Sequence, residues 1–154
     1  MQTPNNNQSP RFNIRVYGIC INDGHLLLSD EIFNGIRMTK FPGGGLHFGE
    51  GTIECLKREA LEEFNCHIEI LQHFYTTDYF QPAMFFENTQ LISIYYTISI
   101  PGLPALPTSE TPIFNEAKST QHLRWMPIVK MQPDNLTFPI DRKVAEMIVE
   151  QYNG

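Results

Sequence analysis

Positive charge is scarce in this chain: 17 Asp and Glu stand against 11 Lys and Arg, a formal net charge of −6. A sequence-independent grip on DNA or RNA relies on many phosphate contacts from Lys and Arg, so a nucleic-acid polymer is not the expected partner. Long apolar runs are also missing. None approaches the roughly 20 residues that a membrane-spanning helix needs, and no membrane partner is expected. Cysteine is sparse. Cys20, Cys55 and Cys66 form an odd number with no CxxC pair, which excludes a disulfide framework and a Cys-based zinc site. Each reads as a small core or half-buried residue. Residues 1–10 are polar and Asn/Gln-rich, without the basic start or apolar stretch of a signal peptide. They read as a disordered tail, ahead of one domain over 11–154, in a cytoplasmic protein.

The chain does have enough material for a core. With 154 residues and 42% apolar content it can fold without disulfides or a structural metal. β-Formers run from Phe12 to Ile21 and return at His25 to Leu28, with Asn22-Asp23-Gly24 between them as a hairpin signal. A short strand is expected over Arg37 to Phe41. It stops at Pro42 and the glycines Gly43, Gly44 and Gly45, a stretch that reads as no regular element. A helix is predicted from Thr52 to Phe64, with Ile53, Leu56, Ala60 and Phe64 as its apolar face and Asn65 as its left-handed stop. Strands follow over Ile68 to Phe80, Leu91 to Ile100 and His122 to Ile128. A long proline-bearing loop covers Pro101 to Thr120, either a lid or simply mobile. A final amphipathic helix runs from about Asp141 to Tyr152. This order predicts an α+β chain, an α/β/α sandwich.

Chemistry concentrates on the first helix. Glu59, Glu62 and Glu63 stand at i, i+3 and i+4, so at about 100° per residue their side chains share one arc. Like charges this close repel, and a hard divalent cation removes that repulsion. Taken alone, REALEEF reads more readily as a solvated acidic face, which is common on helices. Its surroundings change the reading. Gly43-Gly44-Gly45 precedes it, glycine being the residue that lets backbone approach a ligand closely.

The whole stretch resembles the Nudix box, G-x5-E-x7-R-E-U-x-E-E-x-G-U, U being a bulky aliphatic residue. Gly44 takes the first position, Glu50 follows after five residues, and Arg58-Glu59 after seven more, with Glu62-Glu63 closing the acidic part. Asn65 replaces the last glycine, Cys66 the closing aliphatic, and Ala60 a larger aliphatic. No carboxylate is lost. The match covers about 23 residues, Gly44 to Cys66.

The resemblance implies a Nudix fold, a mixed β-sheet packed between helices. It also implies hydrolysis of a nucleoside diphosphate linked to another group. Carried over, Glu59, Glu62 and Glu63 hold Mg²⁺ or Mn²⁺, with the carbonyl of Gly43 completing the shell. Glu62 or Glu59 orients or deprotonates the attacking water. Gly44, Glu50 and Arg58 are structural, Arg58 holding loop against helix through Glu50 or Glu59. Arg37, Lys40 and His47 are candidate substrate contacts, although a loop histidine is more often merely solvent-facing. Glu110 and Glu116 are candidates for a further base or ligand, and solvated loop acids are the commoner case. Tyr79, Phe80, Phe85 and Phe86 stack a base, form a dimer contact or pack as ordinary loop residues. Nucleoside triphosphates, ADP-ribose, other nucleotide sugars and dinucleoside polyphosphates all stay open as substrates, and a homodimer is common among relatives. The competing class is a catalytically silent Nudix-like nucleotide-sensing or interaction domain. Retention of the carboxylates weighs against it.

Overall fold

The structure, a computed structural model, describes residues 9–115 and 121–153. Among these residues, eight strands and two α-helices follow in order: β1 Arg11–Ile19, β2 Ile21–Asn22, β3 His25–Phe33, β4 Ile36–Lys40, β5 Gly43–Gly45, α1 Thr52–Phe64, β6 Glu69–Thr76, β7 Thr89–Ser99, β8 Gln121–Pro127 and α2 Pro139–Asn153. Short 3-10 turns at Ile128–Lys130 and Pro133–Asn135 lead into α2. No described helix is long and apolar enough to cross a membrane.

The strands form two sheets. One has the order β5-β1-β7-β6, with β1 and β7 parallel and the outer pairs antiparallel. In the other, β3 pairs antiparallel with β2, β4 and β8. Side-chain alternation along the strands sorts the core into two halves. Tyr17, Ile19, Leu26, Leu28, Tyr95 and Met126 pack with Ile140, Val144 and Ile148 of α2. Their neighbours in the opposite phase, Val16, Leu27 and Ile98, pack with Cys55, Leu56 and Ala60 of α1. The sheets therefore lie between the two helices, the α+β sandwich that the order of elements predicted. Leu26, Leu27 and Leu28 are all fully buried because β3 is covered on both faces. Each such side chain contributes about 1.5–3 kcal/mol of burial.

Two expectations need correction. The glycine stretch is a strand: β5 pairs with β1 through Tyr17↔Gly43, Val16↔Gly44 and Arg15↔Gly45. Glycine permits this because the backbones come very close. A Cβ on Gly43 would lie 2.1 Å from the Val16 carbonyl oxygen. The apolar face of α1 is also rotated from the predicted one. Cys55, Leu56 and Ala60 are buried, whereas Ile53 is 41% exposed. The packed stripe thus runs through Glu59, not Ile53.

The long loop is anchored over its described part. Trp125 donates its N–H to the Pro107 carbonyl at 2.9 Å, and Ser109 returns one to Trp125 at 3.0 Å. The three cysteines are free and buried.

Candidate active site

Helix α1 begins at Gly51, whose N–H is met by the Glu54 carboxylate at 2.9 Å. It ends at Asn65, which adopts the left-handed conformation at φ 52° and ψ 38°. Asparagine tolerates that region better than most residues, so the missing glycine costs little. Thr52 and Tyr96 share a hydroxyl hydrogen bond of 2.7 Å that pins the start of the helix to β7.

Arg58 organises the acidic face. Its Nε and Nη2 donate to both oxygens of Glu50 at 2.9 and 2.7 Å, and Nη2 also reaches the Gly45 carbonyl at 3.0 Å. Its Nη1 donates to Glu59 at 2.8 Å and to Glu62 at 3.1 Å. One guanidinium therefore ties the glycine strand, the following loop and the helix together. It also brings the carboxylates of Glu59 and Glu62 onto a single nitrogen. The Arg58 guanidinium and the backbone N–H of His47 hold the Glu50 carboxyl down at about 2.

The helix can carry Glu59 on its packed stripe because Gly44 leaves room. A Cβ on Gly44 would lie 2.3 Å from the Glu59 carboxylate. The Glu59 side chain is only 13% exposed, against 58% for Glu62. Glu63 is partly solvent-exposed. Even so, desolvation of its carboxyl, with Glu59 and Glu31 as like-charged neighbours, outweighs the pull of Lys40. Its pKa is pushed up to about 7. Acid is thus in surplus on this face.

A cavity of about 210 Å³ opens beside it. Its buried members include Tyr17, Lys40, Tyr95 and Asp141, and its exposed rim includes Phe33, Met84, Phe85 and Phe86. Lys40 is 5% exposed and pairs with Glu31 at 3.2 Å, while Arg15 donates to the Tyr17 hydroxyl at 2.7 Å. Both cations link cavity and helix electrostatically. Desolvation lowers the Lys40 pKa, but Tyr17, Glu31 and Glu63 outweigh it and raise it on balance. The Arg15 pKa is raised, first by Tyr17 and in part by Glu59 and Glu31.

The other candidates fall as follows. His47 is exposed in the loop after β5. Arg37 lies over the Phe114 ring at 5.4 Å and does not line the cavity. Glu110 is exposed on the loop after β7, and Glu116 lies outside the described residues. Phe85 and Phe86 line the cavity, whereas Tyr79 and Phe80 do not. Sequence reasoning missed Arg15, Tyr17, Glu31 and Asp141. Arg15 had a signal, being a charged residue in strand phase with the buried Tyr17 and Ile19. Asp141 had none, since an acid in the first turn of a helix reads as a dipole partner.

The donor set on α1 is all hard oxygen, which suits Mg²⁺. Among the described residues no three His, Cys, Asp or Glu side chains are drawn together into a ready cage. Mg²⁺ does not demand one, because it keeps several waters and shares its shell with substrate phosphates. The room that Gly44 leaves for Glu59 and the surplus charge felt at Glu63 both fit such an ion.

Comparison with known proteins addresses the fold and the family. No curated protein matches the chain by sequence. Among solved structures, a NUDIX hydrolase from Nitrosomonas europaea superposes with a TM-score of 0.66 at 20% identity, covering 90% of this chain and 87% of that one. The MutT protein from Methanosarcina mazei Go1 gives 0.63 at 20% identity, over 95% and 97%. The E. coli ORF135 protein gives 0.64 at 17% identity, over 89% and 88%. These likenesses are of fold. The family model for the NUDIX domain matches residues 11–147, and the chain therefore belongs to the NUDIX family.

Proposed function

We propose that this chain is a Mg²⁺- or Mn²⁺-dependent pyrophosphohydrolase acting on the diphosphate linkage of a nucleoside diphosphate derivative. A nucleoside triphosphate, ADP-ribose or a nucleotide sugar satisfies that description. The observation that carries the reading is the carboxylate surplus on α1: Glu50, Glu59 and Glu62 share one guanidinium, and Glu63 lies alongside.

In this reading Glu59, Glu62 and Glu63 would hold the cation, with the Gly43 carbonyl as a further oxygen donor. When bound, such an ion would supply charge neutralisation for the diphosphate and a lowered pKa for the attacking water. Glu62, the most exposed of the acids bonded to Arg58, orients or deprotonates the water, or Glu59 does so. Arg58 keeps the acids in place from one side. Arg15 and Lys40, standing between cavity and helix, attract the phosphates as they enter. The cavity takes the nucleoside end.

The test is product release from a panel of these substrates with and without Mg²⁺. Glu62→Gln should lower turnover by orders of magnitude while circular dichroism and melting temperature stay near wild type. Unchanged turnover in that variant, or activity indifferent to chelator, sinks the assignment.

A further inference from the structure

Glu31 stands between the two kinds of charge in this site. It lines the cavity with Arg15 and Lys40, and its field reaches Glu63 on α1. Leu27, Ser29 and Glu31 follow one another along one face of β3. Leu27 packs with residues of α1 and Ser29 is fully buried, whereas the Glu31 side chain is 20% exposed.

The Glu31 carboxylate is held from three strands. Its Oε2 accepts the Ser29 hydroxyl at 3.0 Å and the Lys40 ammonium at 3.2 Å. Gln121, its register partner on β8, donates to Ser29 Oγ at 2.8 Å. Lys40 stands opposite Ser29 on β4. Each contact supports the next, so the acid is fixed on the lysine.

Part of this is ordinary. Lys40 is 5% exposed, and a buried ammonium needs an anionic partner. The place is not ordinary. An acid in contact with a lysine weakens that lysine's pull on any other anion. Glu31 also acts on Arg15. Within the cavity lining, Arg15 and Lys40 are formally cancelled by Glu31 and Asp141, and the acids of α1 lie beyond. A bare diphosphate therefore meets no net positive charge. A divalent cation on α1 reverses that balance, after which phosphate can share Lys40 with Glu31.

We infer that Glu31 is a specificity-determining residue: by holding the Lys40 ammonium it keeps bare diphosphate out, and so makes phosphate binding conditional on a divalent cation at the acids of α1. The inference rests on the proposed hydrolase reading for where the phosphates lie. The competition for Lys40 rests on the Glu31–Lys40 contact alone.

Calorimetry with methylenediphosphonate tests it. The P–C–P bridge of this diphosphate mimic resists hydrolysis, so one probe serves both in chelator and in saturating Mg²⁺. Wild-type protein should bind it about tenfold or more weakly in chelator than in Mg²⁺. Glu31→Gln keeps the length of the side chain and an oxygen for Ser29 and Lys40, but removes the charge. Its affinity in chelator should rise about tenfold, as expected for a unit charge taken from contact range of the binding lysine. Its affinity in Mg²⁺ should change less, so the dependence on metal shrinks. Adding Lys40→Met to Glu31→Gln should abolish the gain. Glu31→Met offers the same comparison if Glu31→Gln does not fold, with circular dichroism as the check. Wild-type binding that is equally tight in both conditions overturns the inference without any variant. So does a folded Glu31 variant with no gain in chelator, or a gain that survives loss of Lys40. Those results leave the hydrolase reading standing if wild type still hydrolyses the substrate panel with Mg²⁺. Absence of wild-type binding in both conditions, together with absence of that hydrolysis, overturns both.

Discussion

Two arginines anchor this molecule in opposite ways. Arg124 is 1% exposed and its partner Asp30 fully buried. Asp30 accepts Arg124 Nε at 2.7 Å and Nη2 at 3.3 Å, the Thr39 hydroxyl at 2.7 Å and the Ile113 N–H at 2.9 Å. Arg124 spends a further donor on the Ser109 carbonyl at 2.9 Å. Charge is matched one to one, and both carboxylate oxygens are satisfied. Arg58 sits at the surface edge with three carboxylates bonded to it. The same ion-pair chemistry closes a structural joint in one place and leaves a net negative face in the other. Stoichiometry and solvent access make the difference.

That contrast can be broken from the buried side first. Asp30→Ala strands a buried guanidinium and frees the loop around Ser109 and Ile113, so it should cost about 3–5 kcal/mol in urea unfolding. Replacing Asp30 and Arg124 together by apolar residues should restore much of the loss. A double variant as unstable as the single one would show that the pair itself stabilises the fold.

The exposed cluster should respond in activity instead. Gly44→Ala places a methyl against the Glu59 carboxylate, the movable end of a side chain, so the melting temperature should fall only slightly. Displacement of that carboxylate should lower kcat by about a hundredfold. Gly43→Ala meets the backbone of Val16 and Tyr17 and should compromise folding itself. Equal thermal losses in the two variants would remove the distinction between strand and site.

The smallest effect is one of pH. The folded-state pKa of Glu50, about 2, lies below the ordinary 4.5, so the folded protein binds that proton less tightly than the unfolded chain. The stabilisation from Glu50 is fully present above about pH 4.5 and is lost as pH falls toward 2. Melting curves from pH 2 to 7 should therefore show wild type above Glu50→Gln near neutrality and the two converging in acid. A gap that stays constant with pH would argue that Glu50 acts only through packing.

Much of the frame was legible in the sequence. The bounds of α1 and the left-handed stop at Asn65 follow from local rules acting over one or two turns. Other features were hidden because they depend on partners far along the chain. Arg124 meets Asp30 across 94 positions, and Asp141 meets Tyr95 across 46. The rotation of α1 that half-buries Glu59 and exposes Ile53 depends on the room at Gly44, which no helical period records.

The amino-acid order by itself determined the acidic helix, its glycine approach and the family they mark, because spacing along a helix converts directly into a shared face. Only the folded arrangement decided which acids share Arg58, where Arg15 and Lys40 stand, and that Asp141 lines the cavity. Those are matters of three-dimensional neighbourhood, set by how β1, β4 and α2 pack together.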